Sequence, residues 1–303
     1  MNTREFRNIV TIFEEGSISR AAEKLHLEQS SLSKFLMTIE KNQGYQIFDR
    51  SSTPLTLTEL GVEYIKTAKA IIDLATDLDR KIDEITNLER GILKVGINMT
   101  RSFYCLHEIL PLFIKQYPKI HVEVTEARTT DLTDYLLNKS IDVMIVDGLP
   151  SDPLIDYQIL LNERFYLVTP PGYIPEGPKT FIHALQYLPA ERQNFILLPK
   201  GTAFRNLAEK IFAAYKMHPN IEYTTQMAST AVKLCIHGLG LSFVSSLVKE
   251  YYESSIQPDY YIVEENFSNP VIAAYRKGGY LPRSVQPFID IIKPYLLEKQ
   301  AAH

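Results

Sequence analysis

The chain has 303 residues, a formal net charge of −4 and 45% hydrophobic residues, enough to bury the cores of two or three ordinary globular domains. Its two cysteines, Cys105 and Cys235, exclude a disulfide framework, and the scattered histidines show no metal-ligand spacing, so no metal and no cofactor is expected. No charged-then-apolar leader opens the sequence and no apolar run approaches membrane-spanning length, so a cytoplasmic chain without membrane contact is expected.

Thr3 to Glu15 places Phe6, Ile9, Val10 and Phe13 at helical spacing, with Thr3 as cap and Gly16 as stop. Ser17 and Ser19 lie where the next helix must be capped, and Ala21, Ala22 and Leu25 form its apolar stripe. His26-Leu27-Glu28 makes a turn with Leu27 as its apolar plug. Leu32, Leu36 (or Phe35) and Ile39 then repeat along a further helix that Gly44 ends. Two short helices crossing over small residues at a tight corner make a helix-turn-helix. The second opens with Gln29, Ser30, Ser31, Ser33 and Lys34, groups that reach base edges and phosphates when a helix N-terminus enters a major groove. An amphipathic pair in a plain all-α domain would show the same stripes. Gln46 to Leu57 adds two short strands about a Ser51-Ser52-Thr53-Pro54 tip, which reads as a wing. Arg50 is its best phosphate or minor-groove contact, and Ser51 and Thr53 offer hydroxyls. Cations and carboxylates balance in this segment, which excludes a purely electrostatic binder and favours a few cations clustered on one face.

In combination, Phe6, Phe13, Gly16-Ser17, Ala21-Ala22, Leu25, Gln29 to Lys34, Ile39-Glu40, Phe48-Asp49-Arg50 and Leu57 to Gly61 resemble the winged helix-turn-helix of LysR-type transcriptional regulators. The resemblance implies double-stranded operator DNA as a partner, with Ser17, Ser19 and neighbouring backbone N–H groups facing phosphates. Glu28 departs from the family's usual Ser or Thr. The wing tip lacks the further basic residue that the family often carries.

Thr58 caps a long helix running to about Leu88, in which Ala68, Ile71, Ala75, Leu78, Ile82 and Ile85 repeat at alternating spacings of three and four. So regular a seam calls for a second helix, and the family pairs this linker with its copy in another subunit. A dimer at least is expected, and dimers of family members commonly pair into tetramers.

From Gly91 the pattern changes to strands and helices in alternation: strand 92–97, helix 102–117 bent at Pro111, strand 119–126, helix 131–139 and strand 141–146. A second α/β unit follows through strand 165–168, helix 204–215, strand 221–225, helix 230–237 and strand 241–245. Segments 260–264 and 271–275 are expected to return toward the first unit, and helix 282–299 closes the chain. The fold class is therefore α/β with an all-α-type N-terminal winged helix-turn-helix and a two-lobed, periplasmic-binding-protein-like effector domain. The boundaries expected are 1–58 for DNA binding, 59–89 for the linker and 90–303 for effector binding. Lobe I is 91–161 with 266–303, and lobe II is 162–265.

In open α/β sheets ligands sit beyond the carboxyl ends of strands. Those ends carry Thr100, Arg101 and Ser102, Thr129 and Thr130, Lys200, Thr202 and Phe204, and Met227, with Tyr104 adding apolar surface. Hydroxyls with two cations suit a small polar or anionic metabolite, although each Ser or Thr taken singly could equally be a helix cap. The resemblance implies that Thr100, Ser102, Thr129 and Thr202 occupy effector-binding positions. The function expected is a sequence-specific, effector-modulated transcriptional regulator, with RNA polymerase as a further candidate partner. The competing functions are a solute-binding protein with a helical adaptor and an enzyme on a two-lobed scaffold. No phosphate loop, nucleophile elbow or acid-base pair supports the enzyme.

Overall fold

The computed structural model describes residues 3–49, 51, 54–86, 91–188 and 194–301, the side chains of 80, 83–86 and 301 excepted. The chain forms two compact units, 1–88 and 89–303.

The first unit opens with helix α1 (Thr3–Glu15), α2 (Ile18–Lys24) and α3 (Gln29–Gln43). Along α1 the residues turned into the core are Phe6, Ile9, Val10 and Ile12; Phe13, expected inside, is 37% exposed while Ile12 is fully buried. Consecutive helical residues point about 100° apart. Phe13 thus swings to the rim, where its ring lies 5.5 Å from Lys69 Nζ. Gly16 ends α1 at φ +58°, and the corner between α2 and α3 turns on His26, at φ +55°. Leu27 is half-buried there, and its N–H donates to Ala22 O at 2.8 Å. Gly44 closes α3 in the left-handed region, donating to Glu40 O.

Among the described residues the wing pairs β1 (Phe48–Asp49) with β2 (Thr56–Leu57), antiparallel. Two devices fix it to the helices. The buried Glu40 carboxylate accepts hydrogen bonds from the N–H groups of Ile47 at 2.8 Å and Phe48 at 3.2 Å. Thr58 Oγ1 donates to Gln46 O at 2.7 Å and accepts from Gly61 N, which makes Thr58 the cap of α4 (Glu59–Thr86). Ile65 and Ala68 of α4 enter the same core as α1, with Tyr64, Ile71 and Ile72 packed at its edge.

Among the described residues the second unit carries three sheets. Lobe I is a five-stranded sheet in the order β4-β3-β5-β12-β6, built from β3 (Gly91–Asn98), β4 (Ile120–Ala127), β5 (Val143–Asp147), β6 (Ile155–Glu163) and β12 (Asn269–Arg276). β3 runs parallel to β4 and β5, whereas β12 is antiparallel to both its neighbours. In lobe II, β10 (Ser242–Ser245), β7 (Phe165–Thr169) and β11 (Asp259–Ile262) form one antiparallel sheet, and β8 (Asn194–Leu197) pairs with β9 (Asn220–Thr224) in parallel. A bridge from Phe195 to Leu241 joins the two. Segment 260–264 therefore stays in lobe II, paired to β7, and β12 is the strand that returns.

The helix after β3 begins earlier than expected, as the short α5 (Met99–Arg101). It widens into a π turn over Ser102–Leu106 and continues as α6 (His107–Gln116). The irregularity thus lies just ahead of Pro111, whose missing N–H breaks the helical ladder. Among the described residues the remaining α-helices are α7 (Thr129–Leu137), α8 (Phe181–Leu185), α9 (Ala203–Ala214), α10 (Ala228–Ile236), α11 (Ser246–Tyr251) and α12 (Val285–Ala301). One hydrophobic core spans both lobes, from Leu93, Tyr104 and Phe288 in lobe I to Val168, Val232 and Leu247 in lobe II.

Candidate nucleic-acid interface and effector cleft

Helix α3 is two-faced. Leu32, Leu36 and Ile39 are buried, while Gln29, Ser30, Ser31 and Lys34 are exposed and Ser33 is half-buried. Its cap position is Glu28, whose exposed side chain makes no cap hydrogen bond. Backbone N–H groups at the helix start are therefore left for solvent or a ligand. Ser17, by contrast, is occupied as the cap of α2, accepting from Arg20 N at 3.5 Å; Ser19 is exposed. At the wing, Ser51 donates from both its N–H and its hydroxyl to Asp49 Oδ1, at 2.8 and 2.6 Å. Arg50 and Thr53 lie outside the described residues.

The strand ends of the two lobes meet. A Cβ placed on Gly148, beyond β5, would lie 3.1 Å from the Ala203 Cβ at the start of α9. The ring of Tyr104, in the π turn, lies 5.8 Å from that of Tyr251 in α11. Around this seam the expected residues separate into two groups. Thr100, Thr129 and Met227 are half-buried, and Thr130 and Lys200 exposed, at the starts of α5, α7, α9 and α10. Ser102 is buried and bonded to the Glu126 carboxylate, and Thr202 Oγ1 caps α9 by accepting from Arg205 N at 3.2 Å.

Two expectations are corrected. Phe204 is only 8% exposed and packs edge-on against Phe165, 5.5 Å between centroids, inside the lobe II core. Arg101 is 2% exposed. Its guanidinium pairs with the carboxylates of Asp147 and Glu163, the latter at 2.5 Å, rather than facing a ligand. Burial opposes its charge, but Asp147 and Glu163 more than compensate and hold its pKa above the ordinary value. Burial likewise pushes the Glu163 carboxyl up, and Arg101 restores only part of the difference. Sequence reasoning placed Asn98 and Asp147 at strand ends without their pairing, and missed Glu163 and Asn269. Asn98 Nδ2 donates to Asp147 Oδ2 at 2.5 Å and Asn269 Nδ2 to Asp147 Oδ1 at 2.8 Å. Asp147 was legible only as the polar end of a strand; Glu163 carried no local signal.

Both thiols are buried and free, and burial pushes each up to about 12. That removes the thiolate character a redox switch requires.

Residues 86–296 match the LysR substrate binding domain, and residues 3–62 match the bacterial regulatory helix-turn-helix protein, lysR family. The chain belongs to the LysR family of transcriptional regulators. Among its relatives is a "Probable RuBisCO transcriptional regulator" of Phaeodactylum tricornutum, 29% identical over 82% of this chain and 81% of that protein. Another is the regulator CbbR of Sinorhizobium medicae, 22% identical over 100% of this chain and 95% of that one. Full-length CbnR in complex with its target DNA shares the fold, with a TM-score of 0.63 and 20% identity over 97% of this chain and 99% of that one. So does a single-residue variant of full-length OxyR from Pseudomonas aeruginosa, with a TM-score of 0.67 and 22% identity over 97% and 95%. This regulator is therefore a DNA-binding protein with an effector domain, and not an enzyme. Among the described residues no helix is long and apolar enough to cross a membrane.

Proposed function

We propose that this regulator works in the cytoplasm as a dimer or a pair of dimers, laying the N-terminal turns of two α3 helices in successive major grooves of an imperfect palindrome. The two grooves would lie about 34–36 Å apart. The observation that carries this is the exposed polar start of α3, Gln29, Ser30, Ser31 and Lys34, on a helix whose opposite face is locked into the core. Self-association is assigned to α4, where Leu74 is 69%, Leu78 56% and Ile82 47% exposed. An apolar stripe of that kind suits a coiled-coil partner. The seam starts later than the sequence suggests, because Ala68 and Ile71 are taken up by the chain's own α1 core. A small polar or anionic metabolite is the effector, held at the lobe seam by Thr100, Thr129, Thr130, Lys200 and Met227, and it shifts the DNA-bound arrangement by preferring one assembly.

The test is affinity selection of sheared genomic DNA by the full chain, with sequencing of the bound fragments. An interrupted palindrome with half-sites one turn apart is expected. Lys34→Ala should lower affinity for all fragments and reduce the salt slope by about one unit. Gln29→Ala should relax one base position per half-site, at a cost of about 1–3 kcal/mol in discrimination. Enrichment without a shared motif would refute the assignment. A thermal-shift panel of carboxylates and amino acids tests the effector separately: a ligand at about a hundredfold its Kd stabilises by about 2.7 kcal/mol.

A further inference from the structure

The turn that follows β3 touches both lobes at once. Its first half belongs to the cleft, with Thr100 half-buried at the strand end and Ser102 bonded to Glu126 at the end of β4. Its other side chains reach elsewhere. The Arg101 guanidinium holds Asp147, at the end of β5, and Glu163, at the end of β6. The second oxygen of Glu163 accepts from the backbone N–H of Leu247 in α11 of lobe II, at 3.0 Å. Tyr104 crosses the seam as well, its ring lying 5.8 Å from that of Tyr251 in α11. Within about a single turn, then, lie the hydroxyls of Thr100 and Ser102 and two side chains linked to α11 of the opposite lobe, Arg101 through Glu163 and Tyr104 through its ring.

We propose that the segment Met99–Leu106 is a relay in which a ligand contact at its cleft end is transmitted to lobe II through two positioning residues, Arg101 and Tyr104. The proposal rests on the effector assignment of the cleft. Two features suit the segment to switching between discrete arrangements, which is what coupling between sites requires. One is the π turn, Ser102–Leu106. Such turns are rare, and shedding the extra residue rotates everything after it by about 100° about the helix axis, enough to unseat a side chain such as Tyr104. The other is Arg101 Nη1, buried with no hydrogen-bond partner among the described residues. An unpaired buried donor is costly, so the present arrangement leaves Arg101 a capacity that another could fill.

Hydrogen exchange of the full, unliganded chain tests the relay. Ser102→Ala removes the bond to Glu126 and loosens the cleft end alone. Exchange is expected to quicken in 98–106 and also across the seam in 246–251. The increase should be about fivefold, the equilibrium weight of one ordinary hydrogen bond. Combined with Tyr104→Leu, which removes the ring that meets Tyr251, or with Glu163→Gln, which weakens the link to Arg101, Ser102→Ala should still quicken 98–106 while its effect on 246–251 falls. The two backgrounds are independent, so that neither conclusion depends on one variant's folding. A Ser102→Ala response confined to lobe I overturns the relay, as does a lobe II response that persists undiminished in the Tyr104→Leu and Glu163→Gln backgrounds. No effector enters the measurement, so its outcome is independent of whether the metabolite panel finds one.

Discussion

Gly61 stands in the first turn of α4, and replacing it with Ala sets two effects of opposite sign against each other. In an exposed helix interior Gly→Ala stabilises by about 1 kcal/mol. Here the new Cβ would lie 2.0 Å from the carbonyl oxygen of Ile47 and 2.9 Å from its carbon. Both are backbone atoms, so no rotamer relieves the contact, and α4 and the start of the wing must separate by about an ångström. Forcing an extra methyl into such a place costs about 1–3 kcal/mol. The separation also strains two joining hydrogen bonds, Thr58 N to Ile47 O at 3.0 Å and Thr58 Oγ1 to Gln46 O at 2.7 Å. Each is worth about 0.5–1.5 kcal/mol. After subtracting the helix gain, we expect a net loss of about 1–5 kcal/mol. For a unit of this size that is a fall of roughly 5–25 °C in its Tm. Thermal unfolding of the full chain by circular dichroism reads the shift, and hydrogen exchange at 47–62 places it. A Gly61→Ala chain as stable as the parent, or more so, would show that the helix and wing do not approach this closely, and the account of the wing's anchoring would be wrong.

Glu40→Ala strands two buried N–H donors, those of Ile47 and Phe48, and should cost about 3–5 kcal/mol in the same unit. Glu40→Gln keeps an acceptor and should cost about 1–2 kcal/mol; equal losses for the two variants would exclude the carboxylate as the anchor. Leu78→Asp is expected to shift the chain toward monomer in sedimentation without unfolding α4, since Leu78 contributes nothing to its own unit's core; an unchanged oligomer would move the interface off this stripe. With both thiols pushed up to about 12, iodoacetamide at pH 8 should leave the native chain unmodified and label Cys105 and Cys235 only after denaturation. Rapid labelling of either thiol in the folded chain would contradict its burial.

Much of the first unit's fold was legible in the sequence because its signals are local. Gly16 and Gly44 stop helices at positive φ, Thr58 caps α4 through the N–H three residues on, and the stripe Leu32, Leu36, Ile39 turns the polar start of α3 outward. Each depends on neighbours within a turn or two, and a chain read in order contains them. The alternation of strand and helix likewise announced two α/β lobes, although α11 and the membership of β11 did not emerge, since a short apolar segment takes its partner from the whole sheet.

Other features depended on residues far away in the chain. Arg101 looks like a ligand-binding cation when seen beside Thr100 and Ser102. It becomes a structural ion because Asp147 and Glu163, 46 and 62 residues on, bring two carboxylates to the same buried point. Phe204 opens a helix at a strand end, as a ligand-facing aromatic would, yet Phe165 on another strand draws it into the core. Ala68 fits a coiled-coil seam and is instead covered by α1. By itself the sequence determined which elements form, where they stop and which face of each is apolar, because these follow from backbone geometry and near neighbours. Only the tertiary structure decided which partner covers each face and which charges are paired, because burial and ion pairing are set by chain segments that meet in space and not in sequence.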